Sequence, residues 1–245
     1  MTGGLEYALI AVAALWGAAA GALLPRAAHR FAVPAGEEWR SACPQGHPLT
    51  GWLGPARCRA CGGTPYGTGA AVPVTVTALV CAALAAATGT RPELGVWLLL
   101  APAGVLLATV DVRVQRLPDP LTLPFAGAAL VLLGLTALVP EHAGEWTGAL
   151  LGALALGAGY FVLFLVNPAG MGFGDVKLAL GAGAVLGWYG WPTVLLGTLA
   201  GFVCGALYGG ALVVARKAGR RTSIPFGPFL IGGAFAGLLI GAYTA

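Results

Sequence analysis

Long apolar stretches are the feature of this sequence that most restricts its fold. A membrane-spanning helix needs about 20 mostly apolar residues. Only 9% of the 245 residues are charged, whereas soluble domains carry about 25%. The sequence therefore predicts an all-α integral membrane protein, a bundle of about eight transmembrane helices. The predicted spans are 5–24, 70–88, 94–110, 121–139, 146–166, 176–191, 192–214 and 225–243.

The number of spans has one alternative. The sixth stretch, 176–191, is short and its boundary with the seventh is weak, so seven spans is the other count. The first stretch has no basic segment before it and more spans follow, so we expect a retained helix rather than a signal peptide. The 40 glycines suit close helix contacts in lipid.

The basic residues indicate the orientation of the chain. Lys and Arg concentrate in cytoplasmic loops of membrane proteins. With eight spans and the N-terminus outside, every Lys and Arg except Arg91 falls on the cytoplasmic side. These residues are spread over four loops, so we expect no nucleic-acid partner. The apolar spans make the lipid bilayer an expected partner. The basic residues on the cytoplasmic side are Arg26, Arg30, Arg40, Arg57, Arg59, Arg113, Arg116, Lys177, Arg216, Lys217, Arg220 and Arg221.

A single long polar stretch, residues 25–69, divides the chain into three parts. We expect it to form a small cytoplasmic insert between helices 1 and 2. Residues 1–24 would form the first transmembrane helix, and residues 70–245 the main membrane domain.

Cysteines in the insert suggest a metal site. Cys58 and Cys61 form a CxxC motif, and Cys43 and His47 precede it. Three thiolates and one imidazole can hold a tetrahedral zinc ion, and so short a segment gains stability from a bound metal. A metal-free degenerate site and a redox CxxC are the alternatives, although a cytoplasmic location disfavours a stable disulfide. Two further cysteines, Cys81 and Cys204, lie in apolar spans and are interpreted as small core residues.

Three of the nine acidic residues lie at predicted cytoplasmic helix ends: Asp111, Asp119 and Asp175. An ionisable group within or beside a membrane span is energetically costly, so its presence suggests a functional role. The others are interpreted as solvated surface charges: Glu6, Glu37, Glu38, Glu93, Glu141 and Glu145.

Asp111 ends the third span, and Asp175 opens the sixth after two glycines, Gly172 and Gly174. Glycines let the backbone turn tightly, which would bring the Asp175 carboxylate against a neighbouring helix. Two carboxylates a few Å apart share a proton, so one can act as base and the other as acid. The alternatives are a helix N-cap for Asp175, and for Asp111 an interfacial charge paired with a nearby arginine, Arg113 or Arg116.

Three segments together resemble a known family. Residues 111–124 and 172–178 resemble the two catalytic segments of type IV prepilin peptidases, which are GxGD-type membrane aspartyl peptidases. Residues 224–228 resemble the Pro-Phe-Gly-Pro stretch before their last helix. The three occur in family order, and the resemblance covers about residues 95–245.

The resemblance implies a function. Asp111 and Asp175 would be the catalytic acids of an endopeptidase in the bacterial plasma membrane, acting at its cytoplasmic face. Its substrates would be prepilins or pseudopilins, whose short basic leaders are removed just before a hydrophobic helix. Proteolysis would need no cofactor.

The remaining residues of these segments receive supporting roles. Asp119 ranks below Asp111, and its other role is to cap the fourth helix. Lys177 would either hold charge near the two acids or anchor the helix at the interface. We assign Gly172 and Gly174 to backbone geometry rather than chemistry.

The insert departs from the family pattern. Many members carry CxxC twice there and also N-methylate the new N-terminus with S-adenosylmethionine. Here Gly46 stands where the second cysteine would be, with His47 beside it. Either His47 replaces that ligand or the metal is lost, and S-adenosylmethionine is expected as a cofactor only if methylation is retained.

Two other functions remain open. A presenilin-like GxGD intramembrane protease would place its acids deep in the bilayer, in mid-helix. A proton-coupled transporter using the same acids would place them near the midplane. The predicted helix-end positions of Asp111 and Asp175 disfavour both.

Overall fold

The computed structural model describes residues 2–34, 36–67, 69–168, 170–215 and 225–245. These residues form eight α-helices and one antiparallel pair of short strands, which confirms the all-α membrane bundle. Four basic residues that the sequence places in the cytoplasm lie outside the described residues: Arg216, Lys217, Arg220 and Arg221. Ile224, the first residue of the segment 224–228, also lies outside them. The helices are α1 Thr2–Phe31, α2 Ala71–Thr88, α3 Glu93–Val114, α4 Asp119–Thr136, α5 Trp146–Val166, α6 Phe173–Gly187, α7 Trp191–Val214 and α8 Gly227–Thr244; the strands are β1 Arg57–Cys58 and β2 Thr64–Pro65.

Helix α6 explains the ambiguity in the number of spans. Seven helices in the described part of the chain are long and apolar enough to cross a membrane. Helix α6 is the exception, since it has only 15 residues. It is nevertheless a central element, because residues 181–188 are all buried among its neighbours.

Glycines allow α6 to lie this deep. A Cβ atom added to Gly183 would collide with the carbonyl oxygen of Gly152 on α5, and the reverse substitution would collide with Gly183. Gly148 and Gly187 form a second such pair one turn away. Small residues at these positions let the two backbones touch, as in membrane helix pairs generally.

The insert is attached to the end of α1, which continues to Phe31, seven residues beyond its expected end at residue 24. Arg26 donates to the carbonyl of Thr50 at 2.7 Å, and Arg30 donates to that of Gly51 at 2.7 Å. The Arg30 guanidinium also lies 4.0 Å from the centre of the Trp52 ring. These arginines therefore fix the insert against the helix.

Glu93 is fully buried at the start of α3, so its interpretation as a solvated surface charge was wrong. Its Oε1 accepts hydrogen bonds from the Tyr189 hydroxyl at 3.2 Å and from the Ala143 N–H at 3.3 Å. The loop after α4 and the end of α6 close over it, which the local sequence does not reveal. Cys81 is buried as interpreted, but Cys204 is exposed on α7, so its interpretation as a core residue was also wrong.

Replacing Glu93 by Ala should destabilise the bundle at this end. The Tyr189 hydroxyl and the Ala143 N–H would lose their acceptor, and the loss of each hydrogen bond costs about 1 kcal/mol. We expect a lower melting temperature of the detergent-solubilised protein. Glu6→Ala removes an exposed carboxylate and should leave that temperature unchanged. Equal melting temperatures for the two variants would contradict this role of Glu93.

Candidate active site

Asp111 lies in the last turn of α3 and is buried, with 4% of its surface exposed. The helix ends just beyond it, because Gln115 adopts a left-handed conformation with φ of 50° and donates its N–H to the Asp111 carbonyl at 2.8 Å. Pro118 follows, and proline disfavours a helical conformation in the residue before it. The C-terminal turn of α3 therefore holds the Asp111 carboxylate inside the bundle.

The carboxylate of Asp111 contacts the start of α8. Its Oδ2 accepts the N–H of Gly227 at 3.0 Å. Within the described ranges, no ion pair joins it to Arg113 or Arg116. Arg116 instead donates to the Pro34 carbonyl at 2.8 Å. The contacts of Asp111 are thus not those of an interfacial charge paired with a nearby arginine.

Asp175 lies in the first turn of α6 and is 7% exposed. Its Oδ2 accepts the N–H of Gly172, the residue before the helix, at 3.1 Å. A carboxylate at the third helical position often reaches back in this way and satisfies a free N–H. Asp175 therefore does cap the helix, from this third position rather than as the N-cap residue itself.

The structure brings the two aspartates together at one end of the bundle. They come from segments more than sixty residues apart, and their carboxylates are close enough to interact electrostatically. Both are almost completely buried. In a medium of low dielectric constant, each of two neighbouring carboxylates disfavours the charged form of the other.

Two glycines allow this approach. A Cβ atom added to Gly174 would lie 2.8 Å from the Cβ of Leu117, in the segment that joins α3 to α4. A Cβ atom added to Gly227 would lie 2.8 Å from Oδ2 of Asp111. The first glycine lets the start of α6 meet the end of α3, and the second lets a backbone N–H reach the carboxylate.

The sequence did not single out Gly227 or Tyr160 as site residues. The Tyr160 side chain on α5 is 1% exposed and interacts electrostatically with Asp175. Its hydroxyl is buried and has no hydrogen-bond partner among the described residues. A phenol in an otherwise apolar span was the available signal for Tyr160.

Lys177 pairs with Asp119 rather than with the two buried acids. Its Nζ lies 2.6 Å from Oδ1 of Asp119, whose side chain is 59% exposed. The same Nζ lies 4.9 Å from the centre of the Phe173 ring. Asp119 is the first residue of α4, and in the described part of the chain its side chain makes no capping hydrogen bond. The pair ties the start of α4 to α6, and exposed ion pairs of this kind contribute at most about 1 kcal/mol.

Replacing Gly227 by Ala should reduce activity without unfolding the protein. The added methyl group would press on Oδ2 of Asp111 and lengthen its hydrogen bond to the backbone. A displacement of this size near reacting groups can cost about 100-fold in rate, so we expect kcat to fall by about 10- to 100-fold. The assay is cleavage by the purified enzyme. Gly127→Ala is the control, because its Cβ position is open, and equal rates for both variants would refute the role of Gly227.

The four ligand candidates in the insert also come together. One ligand atom from each of Cys43, His47, Cys58 and Cys61 lies within 4.8 Å of the other three. The Cys43 Sγ to His47 Nδ1 distance is 3.6 Å, and the His47 Nδ1 to Cys61 Sγ distance is 3.1 Å. A tetrahedral zinc ion with bonds of about 2.0–2.3 Å keeps its ligand atoms about 3.5 Å apart. The donor set and spacing therefore fit zinc.

The local structure supports this cluster. The strand β1 and the turn after it carry Cys58 and Cys61, while a tight turn closes Cys43 onto His47 through an N–H to carbonyl bond of 2.9 Å. Burial alone would raise the pKa of the Cys43 thiol, but hydrogen bonds, first with His47 and then with Gln45 and Cys58, lower it to about 6. The thiolate form is the one that binds metal.

A multi-pass helical bundle with two buried, interacting aspartates at one end has the features of a membrane aspartic peptidase. Comparison with known proteins gives the family. Residues 96–210 match the type IV leader peptidase family. The chain belongs to this family of membrane prepilin peptidases, and it is a multi-pass protein of the inner membrane.

The relatives cover most of the chain. It is 34% identical over 223 residues to the prepilin leader peptidase/N-methyltransferase of Aeromonas salmonicida, covering 82% of this chain and 72% of the relative. It is 33% identical over 217 residues to the protein of the same name from Pseudomonas aeruginosa, covering 82% and 71%. A third relative of that name, from Stutzerimonas stutzeri, is 36% identical over 150 residues. That match covers 61% of this chain and only half the length of the relative. No solved structure matches the chain.

Proposed function

We propose that this protein removes the leader peptide from prepilin-like or pseudopilin substrates, with Asp111 and Asp175 as its catalytic pair. The observation that supports this most is the arrangement of the two carboxylates. They are buried at one end of the bundle, they interact electrostatically, and each accepts one N–H from a glycine. Such a pair can hold a single proton between two oxygens, as aspartic proteases require.

The chemistry follows from that shared proton. The ionised carboxylate takes a proton from a water molecule, whose oxygen attacks the carbonyl carbon of the scissile peptide bond. The protonated carboxyl donates its proton to the carbonyl oxygen, which gives a neutral tetrahedral intermediate. Proton transfer to the amide nitrogen then allows the C–N bond to break. The two acids titrate as a pair, so the cycle does not depend on which of them begins ionised.

The Gly227 and Gly172 N–H groups keep the two acids in place during this cycle. Each N–H fixes one carboxylate oxygen, Oδ2, of its aspartate. A hydrogen bond to the ionised form also favours that form inside the bundle. Because the donors are backbone groups, they remain in position while the proton moves.

We place the acids at the cytoplasmic face, with the N-terminus outside. Asp111 ends α3 and Asp175 begins α6, and the arginine-rich insert is attached at the same end of the bundle through Arg116 and Pro34. Basic segments of this kind stay in the cytoplasm. A basic leader held there would present its junction with the hydrophobic helix at the level of the acids. Their position at the ends of α3 and α6 disfavours a midplane proton site.

We propose the three-part division that the sequence suggests, 1–24, 25–69 and 70–245, with the first helix continuing to Phe31 before the irregular part of the insert begins. The insert would hold zinc through Cys43, His47, Cys58 and Cys61. Zinc there would supply a structural cross-link rather than chemistry. The peptidase step needs no cofactor. S-adenosylmethionine would be used only if the chain shares the second activity named for its relatives.

Co-expression with a prepilin and mass spectrometry of the product tests this function. We expect loss of the leader with the protein present and no loss without it. The same spectra show whether the new N-terminus also carries the mass of one methyl group. An intact leader in the presence of correctly inserted protein would overturn the proposal.

A further inference from the structure

A groove within the membrane part of the protein runs along the helices that carry the two aspartates. Its volume is about 470 Å³, and its walls come from α2, α3, α4, α6 and α8. The lining side chains are almost all apolar, and Arg113, at the end of the bundle where the acids lie, is the charged one among them. Along α3 the groove extends from Trp97 to Arg113, about 24 Å at 1.5 Å per residue. The hydrocarbon core of a bilayer is about 30 Å thick.

The groove continues the helix faces that carry the acids. Residues three or seven apart lie on one face of a helix. Gly104 and Ala108 line the groove at seven and three positions before Asp111 on α3. Leu178 and Ala182 line it at three and seven positions after Asp175 on α6. On α8, Pro228 lines it directly after Gly227, which binds Asp111.

The walls of the groove include surface that no other helix covers. Elsewhere in the bundle, glycines such as Gly183 face another backbone so closely that a Cβ atom would collide. At Gly232, on the groove wall, no atom lies within 4 Å of an added Cβ atom. The facing residues of α2 are also uncovered, since Val72 is 69% exposed and Val76 is 41% exposed. Open small-residue surfaces are those on which membrane helices pack closely.

We propose that this groove binds the hydrophobic helix of the substrate, so that the leader junction at its end lies between Asp111 and Asp175. This inference rests on the proposed function. The occupant is a peptide helix rather than a lipid chain, because the groove follows the faces of α3 and α6 that carry the two acids. A binding site for a lipid chain would not have to lie on the same helix faces as the two acids.

Photo-crosslinking tests the occupant. Benzoyl-phenylalanine is placed at Val76 in an Asp175→Asn background, which keeps the substrate intact, and a C-terminally tagged prepilin is co-expressed. We expect a crosslink to the hydrophobic helix of the prepilin. Val203 on α7 is 45% exposed, similar to Val76, and should give no crosslink. Equal crosslinking at both positions, or capture of lipid alone at Val76, would overturn the groove as a substrate site.

A kinetic test separates the groove from the catalytic pair. Gly232→Leu fills the groove and should prevent close packing of the substrate helix, so kcat/KM for the full prepilin should fall about tenfold, mainly through KM. Cleavage of a short peptide that contains only the leader and the junction should be unchanged. Gly159→Leu on α5 is the matched control, because its Cβ position is also open. An unchanged KM for the prepilin in Gly232→Leu would refute the groove, whereas a wild-type enzyme that leaves the prepilin uncut would refute the proposed function.

Discussion

Replacing either Asp111 or Asp175 by Asn is expected to lower leader cleavage by about 10³-fold or more while the protein still inserts and folds. Asn has nearly the same shape as Asp and can still accept the glycine N–H through its amide oxygen. It cannot release or take up the proton that the pair must exchange. General acid–base catalysis of this kind contributes about 10²- to 10⁴-fold to a rate. The measurement is cleavage of a prepilin by purified enzyme, followed by mass spectrometry.

The double variant sharpens this prediction. Groups that act as one unit lose their effect together, so removing both costs about as much as removing one. Asp111→Asn combined with Asp175→Asn should therefore be no slower than either single variant. Independent contributions would instead multiply, and a much lower rate for the double variant would contradict a shared-proton pair.

Asp119→Asn provides the control in the same segment. Asp119 is largely exposed, and its only ion pair in the described structure is with Lys177. Loss of an exposed ion pair costs at most about 1 kcal/mol, so we expect the rate to change by less than about fivefold. If Asp119→Asn were as inactive as Asp111→Asn, the choice of Asp111 over Asp119 would be wrong.

Much of this architecture could be predicted from local sequence. Apolar stretches of about 20 residues specify spanning helices whatever their neighbours, which is why the eight helices were expected. The shortness of the stretch before Trp191 also indicated that α6 is unusual. The short helix α6 is buried against α4, α5 and α8. This burial depends on glycine contacts between helices, such as that between Gly152 and Gly183, which the local sequence does not predict.

The contacts around the two aspartates were harder to predict from the sequence. Asp111 and its donor Gly227 are 116 residues apart, and no local pattern in either segment predicts the hydrogen bond between them. Glu93 was misread for a related reason: a glutamate in a short loop is usually solvated, and its burial here depends on Tyr189 and the loop at Ala143. Sequence patterns can identify a residue that is costly to place in a membrane, but tertiary packing decides what surrounds it.

The second large effect concerns the metal content of the insert. Cys58→Ser is expected to abolish stoichiometric zinc binding, because serine is a poor zinc ligand and the remaining three groups leave one position open. The wild type should contain one zinc ion per chain when measured by plasma mass spectrometry of the purified protein. Cys204→Ser is the matched control, since Cys204 is exposed on α7 far along the chain and should leave the zinc content unchanged.

The consequence should be local unfolding rather than loss of the catalytic pair. Zinc binding contributes about 10–16 kcal/mol to small zinc-dependent folds. Apolar packing in the insert is limited to a few residues around Cys43, Cys58 and Tyr66. We therefore expect rapid proteolysis within the insert in Cys58→Ser, with the helices remaining intact. His47→Cys should retain zinc, because it restores the thiolate that the family pattern places nearby. If the wild type contains no zinc and its cysteines form a reversible disulfide between Cys58 and Cys61, the redox alternative is correct.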